Sequence, residues 1–382
     1  MTRFCFFSNY LTHHQLPFCL EMVKLTGGNF VFVETETLPQ ERKSLGYKAL
    51  GEQYDFVINT TKGAEYEKRA MEIAKSADVM IFGSAPGKYL RARMKENKLT
   101  FRYSERIFKK REREILRRAK YTAITLPYRN KKLYYLFSSA YAAKDYSRCC
   151  ARRDKMFKWG YFPETKRYES IDEIMAAKRP HSILWAGRLI DWKHPDVPIK
   201  LAKRLKEDGV DFDLNIIGNG VMEDELREMI AKERLESCVH MLGSMSPDSV
   251  REHMERSEIY LFTSDFNEGW GAVLNESMNS ACALLASHAI GATPFLLDNG
   301  NNGYVYTYEK DSLEDPYEKL KALLNSSELC REYGARAYET IKDEWSAGVA
   351  AKRVCELAEA IESGEDVNIY EKGPCSRAEI LK

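Results

Sequence analysis

Short apolar runs and amphipathic stretches take turns along this sequence, twice over. In the second half "SILWAGRL" reads as a strand, "PDVPIKLAKRLKED" as a helix with Val197, Ile199, Leu201, Ala202 and Leu205 on its apolar side, "FDLNIIGNG" as a strand and "MEDELREMIAKERL" as a helix. The pattern continues through the strand "VHMLGS", the helix "SPDSVREHMERS", the strand "IYLFTS", a helix after Trp270, the strand "CALLAS", a short helix near Pro294 and the strand "GYVYTY". The first half repeats it: "RFCFFSN", a helix from Gln15 to Leu25, "NFVFVET", a helix from Tyr66 to Ser76, "ADVMIFGSA", a basic helix from Glu105 to Lys120, and "YTAITL". Strands that alternate with helices form parallel, doubly wound α/β sheets, and such sheets bind ligands at the carboxyl ends of their strands.

A chain of 382 residues is too long for one ordinary core. Residues 1–165 are expected to form a Rossmann-like domain, 166–180 a linker bracketed by prolines, and 181–345 a second Rossmann-like domain, the two facing a central cleft. Helices over Tyr317–Leu324 and Cys330–Glu344 precede a last helix and tail, 346–382, longer than the second sheet needs. A return of that segment to the first domain explains its length.

The composition is globular, 44% apolar and 30% charged, and the longest apolar runs fall far short of a membrane span. The start "MTRFCFFSNYLTHH" has too short an apolar core to read as a signal peptide. Nine cysteines lack CxxC or CxxxH spacing, which suits reduced thiols in a cytoplasmic protein and argues against a disulfide framework or structural zinc. The net charge of +1 conceals an asymmetry, since Lys88–Lys132 holds seventeen Lys or Arg against four acids, +13, and leaves −12 for the remainder. That segment mixes its cations with Tyr89, Phe101, Tyr103 and Phe108, while Ile107, Phe108, Ile115, Leu116 and Ala119 give its helix an apolar face expected to pack on the sheet. An outward cationic face suits an anionic membrane surface, or nothing beyond solubility; nucleic acid is not expected as a partner.

Three strand ends of the second half carry chemistry. After the first, "AGRLIDWKHPD" sets Arg188 and Lys193 at a strand-to-helix turn, where two cations and helix amides can clamp a diphosphate or simply face solvent. After the second, "IIGNGVME" permits close backbone approach at Gly218 but lacks the third glycine of a dinucleotide fingerprint. The stretch "DFNEGWGAVLNESM" puts Glu268 in a loop, glycines at 269 and 271, and Glu276 a turn inside a helix. Either acid alone fits the helix dipole, but together they offer one carboxylate to sugar hydroxyls and one to a ribose diol.

Glu268 and Glu276 with seven residues between them, opening a helix after a strand, together with "GR" and the downstream Lys193, resemble glycosyltransferase family 4, retaining enzymes of the GT-B fold. The match covers roughly residues 180–345. "SNYLTHHQLPFC", "FRYSER", "SSAYAAKDY" and "KWGYFPE" resemble bacterial exopolysaccharide and capsule members. The resemblance implies that Arg188 and Lys193, beside Gly187, hold the donor diphosphate and act in catalysis with Glu268. It further implies that Glu268, with Gly269, Trp270, Gly271, Ala272 and Val273, holds the transferred sugar, that Glu276 binds the ribose, and that Met245 meets the base. Trp270 stands where Phe is usual, which bears on the fit of the sugar, and the first loop has "NYLTHHQ" in place of a glycine pair.

The expected function is retaining transfer of a hexose-type unit from a nucleotide diphosphate sugar, UDP favoured and GDP next, with no further cofactor. The acceptor is a glycan or a polyprenyl-diphosphate-linked glycan in bacterial surface or exopolysaccharide synthesis, at the cytoplasmic side of the membrane. Acceptor-side candidates are His13 and His14, each also suited to capping or packing, and Arg102, Tyr103 and Glu105, in a segment whose arginines also suit a basic surface. No metal is expected: Asp211-Phe212-Asp213 spells a metal motif of the other large glycosyltransferase fold, but it sits at a strand entrance. The rivals are a nucleotide-sugar epimerase of the same fold, a non-catalytic sugar-nucleotide-binding protein, and an oxidoreductase, which the glycine pattern disfavours.

Overall fold

The computed structural model describes residues 2–40, 49–109, 114–309 and 312–381. They form two compact units, Met1–Glu164 with Trp345–Lys382, and Thr165–Glu344. The first is built on seven parallel strands: β1 (Phe4–Ser8), β2 (Phe30–Glu34), β3 (Val57–Asn59), β4 (Val79–Phe82), β5 (Thr100–Ser104), β6 (Leu133–Phe137) and β7 (Met156–Lys158). Their order is β3-β2-β1-β4-β5-β6-β7, with Phe4 level with Phe30 on one side and Val79 on the other. Among the described residues the helices of this unit are α1 (Leu16–Leu25), α2 (Ala64–Ser76), α3 (Gly87–Lys95), α4 (Glu114–Thr125) and α5 (Ala142–Ser147), followed by Ala347–Ser363, which packs on α1. Every residue of β1, "FCFFS", is buried, because a parallel sheet covered on both faces needs apolar side chains on both.

Three sequence expectations change here. "YTAITL" is the end of α4 and the turn after it, not a strand. Its aromatic and β-branched residues favour a strand locally, but the sheet positions after β4 are taken in turn by "TFRYS" and "LYYLF", whose Leu133, Tyr135, Leu136 and Phe137 are buried. Residues 105–109 are not helical, the basic helix is described from Glu114 on, and residues 110–113 lie outside the described ones. The expected apolar face is therefore split: Phe108 is buried and Ile107 packs against the core, whereas Ile115 is 84% and Leu116 67% exposed.

The second unit has β8 (Arg179–Ala186), β9 (Asp213–Ile217), β10 (Val239–Gly243), β11 (Ser257–Phe262), β12 (Ala283–Ser287) and β13 (Tyr304–Tyr306), all parallel, in the order β10-β9-β8-β11-β12-β13. Its helices are α6 (Ile171–Ala176), α7 (Asp196–Glu207), α8 (Glu223–Lys232), α9 (Pro247–Arg256), α10 (Ala272–Asn279), α11 (Thr293–Leu296), α12 (Glu314–Leu324) and α13 (Ser327–Glu339). On α7 the apolar stripe Ile199, Leu201, Ala202 and Leu205 is buried. Residues 166–180, read as a linker from the sequence, belong to this unit. Within them Met175 of α6 packs with Ala281 and Tyr338, and Lys178 Nζ donates to the carbonyls of Ser257 at 2.8 Å and Ser280 at 2.9 Å. At the entrance of β9, Phe212 is buried, and Asp211 and Asp213 face His181 and His240.

Both sheets reverse their strand order once, between β1 and β4 and between β8 and β11. Crevices outside the carboxyl ends of strands at such a reversal are where doubly wound sheets hold ligands.

Candidate functional site

In the second unit the residues after β8 and β11 meet. Thr263, just past β11, accepts from Trp185 Nε1 at 2.8 Å and donates to the carbonyls of Lys193 at 2.7 Å and His194 at 3.0 Å. Asp265 N donates to Trp192 O at 3.1 Å. These bonds seat the turn Asp191–Lys193 against the loop that carries Glu268, so the spacing of two distant segments is fixed by buried polar groups.

On that frame Lys193 Nζ binds Glu268 Oε2, and both side chains are nearly buried. Ser264 Oγ donates to the same carboxylate oxygen at 3.1 Å. Arg188 is exposed, its guanidinium 5.7 Å from the centre of the Trp192 ring, and Lys193 Nζ lies 4.8 Å from the same ring. The structure thus brings Arg188, Lys193 and Glu268 together through Trp192 and Ser264, two residues that sequence reasoning did not single out. Their position at the ends of two neighbouring strands was the available signal.

The loop continues into α10. Gly271, at its N-terminus, has φ +89, and a Cβ there would stand 2.7 Å from the Phe262 ring. It provides no capping side chain, and the half-buried Ala272 and Val273 are the first two residues of the helix, ahead of Leu274, whose amide donates to Gly271 O at 2.9 Å. Gly218 follows β9, and a Cβ on it would fall 1.8 Å from Gly187 O. This glycine is required by the neighbouring strand end, independently of any ligand.

Trp270 departs from expectation. Its side chain is 1% exposed, Nε1 donates to Asn275 Oδ1 at 2.8 Å, and the ring lies 6.2 Å from that of Phe295. The indole supports the loop from the interior, so a Phe-to-Trp change acts through packing rather than by touching a sugar. Gly269 is buried beside it. Glu276, on α10, is half-buried; burial pushes its carboxyl up to about 7, against the pull of the Arg251 guanidinium. Met245 is half-buried in the turn between β10 and α9.

In the first unit a cavity of about 580 Å³ opens at the carboxyl ends of β1, β4 and β5. Its lining includes His14, Arg102, Tyr103 and Glu105. The loop after β1 is fixed by Glu34, which accepts from Leu11 N at 2.8 Å and Asn59 Nδ2 at 2.9 Å. The rings of His13 and His14 are tilted by 48° with centres 3.7 Å apart, and His14 stacks on Tyr161 at 5.9 Å. Tyr161 OH donates to Glu105, which also binds Lys109. Burial raises the phenols of both Tyr103 and Tyr161, so they stay protonated donors. The cavity residues Gln15, Tyr121 and Tyr161 were not anticipated from sequence, since nothing but their place near strand ends marks them.

Residues 167–340 match the family model described as glycosyl transferases group 1. The N-acetylgalactosamine-N,N'-diacetylbacillosaminyl-diphospho-undecaprenol 4-alpha-N-acetylgalactosaminyltransferase of Campylobacter jejuni is 31% identical over 181 residues, 46% of this chain and 47% of that protein. The GtfA subunit of the UDP-N-acetylglucosamine–peptide N-acetylglucosaminyltransferase of Streptococcus pneumoniae is 25% identical over 179 residues, 46% of this chain and 33% of that one. The chain therefore spans less than half the length of these curated relatives. Among solved structures, HepE of Anabaena in complex with UDP aligns with a TM-score of 0.70 at 15% identity, over 94% of this chain and all of that one. A glycosyltransferase of Rickettsia africae aligns with a TM-score of 0.68 at 14% identity, over 95% of this chain and all of that one. These likenesses give the fold.

Proposed function

We propose, from a chain whose residues 167–340 belong to the glycosyl transferases group 1 family and whose fold is GT-B, that it moves a hexose-type sugar from a UDP-sugar to a glycan or polyprenyl-diphosphate-linked acceptor, with retention and without a metal. The observation that carries the reading is the Lys193–Glu268 pair at the switch point of the second sheet, with Arg188 near the ring of Trp192 that Lys193 also approaches, beside the N-terminus of α10. An arriving diphosphate competes with Glu268 for the Lys193 ammonium. The carboxylate so released accepts hydrogen bonds from the hydroxyls of the sugar. Arg188, with its exposed guanidinium, takes diphosphate oxygens bidentately.

In the transfer step the bond between the anomeric carbon and the diphosphate oxygen breaks, and its electron pair stays on that oxygen. The acceptor hydroxyl forms the new bond on the same face, and its proton passes to the departing diphosphate. Arg188, Lys193 and the amides at Ala272 and Val273 stabilise the charge that develops there. Glu276, held partly protonated near neutral pH, binds the ribose hydroxyls as acceptor or donor.

The curated relative acting on a diphospho-undecaprenol-linked substrate supports a lipid-linked acceptor in bacterial surface polysaccharide synthesis. No helix among the described residues is long and apolar enough to cross a membrane. We assign contact with the inner membrane face to the basic segment 88–132, where Ile115 and Leu116 of α4 stand exposed among Arg118, Ala119 and Lys120.

The test is UDP release and product NMR with UDP-α-hexoses and polyprenyl-diphosphate-linked sugars, in EDTA. The expected product is an α-glycoside. Glu268→Ala should still bind UDP but lose transfer. A β-linked product excludes retention, and interconversion of the sugar nucleotide without an acceptor points to the epimerase instead.

A further inference from the structure

The cavity of the first unit is lined by hydroxyls and amides suited to a sugar, among them Asn9, Gln15, Ser84 and Tyr121, and by two arginines. The charges of its lining do not balance. Arg106 is answered by Asp145 at 3.6 Å, whose carboxylate also accepts from the amides of Ile107 and Phe108 at 3.0 Å each. Glu105 is answered by Lys109. Arg102, half-buried on β5, has no carboxylate partner among the described residues. Its guanidinium lies 5.1 Å from the centre of the Phe82 ring and bonds to the phenol of buried Tyr146, which donates to Ser104 Oγ at 2.9 Å. An arginine fixed in this way lines the cavity with N–H groups to spare, and a guanidinium with no carboxylate partner among the described residues is open to the oxygens of an anion.

We propose that Arg102 forms an anion subsite, so that the acceptor is a sugar bearing a phosphate or carboxylate rather than a neutral glycan. This rests on the reading of the first unit as the acceptor side of a UDP-sugar transferase. The planar fork of Arg102 takes two oxygens of the anionic group, with Ser104 and Tyr121 as neighbouring hydroxyls, while the amide and hydroxyl side chains of Asn9, Gln15 and Ser84 take the neutral part of the sugar.

The experiment titrates the full chain, saturated with UDP so that the donor site is filled, with glucose 1-phosphate, glucuronate and glucose, by NMR. The wild type is expected to bind one or both anions and to bind glucose at least tenfold more weakly. Binding of glucose 1-phosphate alone assigns the subsite to phosphate, and of glucuronate alone to carboxylate. Arg102→Gln should weaken the anion about tenfold or more with UDP affinity unchanged, and Arg102→Lys should recover part of it. Equal binding of glucose and the anions, no anion binding by the UDP-loaded wild type, or unchanged anion binding by Arg102→Gln overturns the subsite. Failure of UDP itself to bind is a different result, and counts against the reading of the second unit.

Discussion

Replacing Lys193 by methionine keeps most of the side chain's length and removes its charge. Two unit charges about 3 Å apart attract by roughly 5–6 kcal/mol at an effective dielectric constant near 20, and desolvation of both ions offsets much of this. The single substitution loses the attraction while the Glu268 carboxylate, 8% exposed as a residue, remains desolvated with the Ser264 hydroxyl at 3.1 Å as its remaining named partner. One such hydroxyl bond to a charge returns about 1.5 kcal/mol. The expected loss of stability in the second unit is then about 3 kcal/mol. Glu268→Gln alone strands the ammonium and should cost about 2 kcal/mol, less because a flexible lysine can reach solvent. In Lys193→Met/Glu268→Gln neither charge is stranded, so the double variant should lose clearly less than the two losses together, with a coupling of about 2 kcal/mol. Urea unfolding at pH 7.5, followed by the fluorescence of Trp185, Trp192 and Trp270, measures all four proteins. Additive losses, or a Lys193→Met loss below about 0.5 kcal/mol, would refute the view that this pair is a buried, mutually dependent element.

Two further outcomes follow from the same geometry. Gly271→Ala meets both the φ of +89 and the Phe262 ring at 2.7 Å, so it should destabilise the second unit by about 2 kcal/mol or more and weaken UDP binding, read by thermal shift. Because burial holds Glu276 at about 7, above the ordinary glutamate value, the folded chain keeps a proton that the unfolded chain has released. The stabilisation is fully present below about pH 4.3 and is lost as pH rises through 7. It amounts to at most about 3.5 kcal/mol, less for a side chain that still meets solvent, and Glu276→Gln should remove that slope from a series of unfolding curves. A flat wild-type profile between pH 5 and 8 would contradict the burial of this acid. For the basic segment, Ile115→Ser/Leu116→Ser should reduce sedimentation with vesicles of anionic lipid severalfold while leaving UDP affinity unchanged, and equal sedimentation removes these two side chains from the membrane contact.

The second unit was largely legible in the sequence because its strands are continuous apolar runs between well-patterned helices. "IYLFTS" and "CALLAS" announce buried parallel strands, and the switch-point rule then places Arg188, Lys193 and Glu268 on adjacent strand ends. The first unit was less so. β5 and β6 carry Arg102 and three tyrosines, and β3 and β7 have only three residues each, too few to show a period, so "YTAITL" looked the better strand. By helical spacing Ile115 and Leu116 share a face with Ile107 and Phe108, which holds only if one helix runs through all four, and residues 105–109 are not helical. The interior place of Trp270 depends on Asn275 and Phe295, and the need for glycine at 218 on the Gly187 carbonyl. Such demands come from neighbours in space and leave no mark in local pattern.

The most direct test of the donor site is calorimetry of UDP and uridine with the wild type, Arg188→Ala and Lys193→Met. UDP is expected to bind the wild type with a stoichiometry of one, and each substitution to weaken it about tenfold or more while the weak affinity for uridine stays the same. If both variants bind UDP as the wild type does, the diphosphate does not lie at the ends of β8 and β11, and the proposed chemistry falls with it.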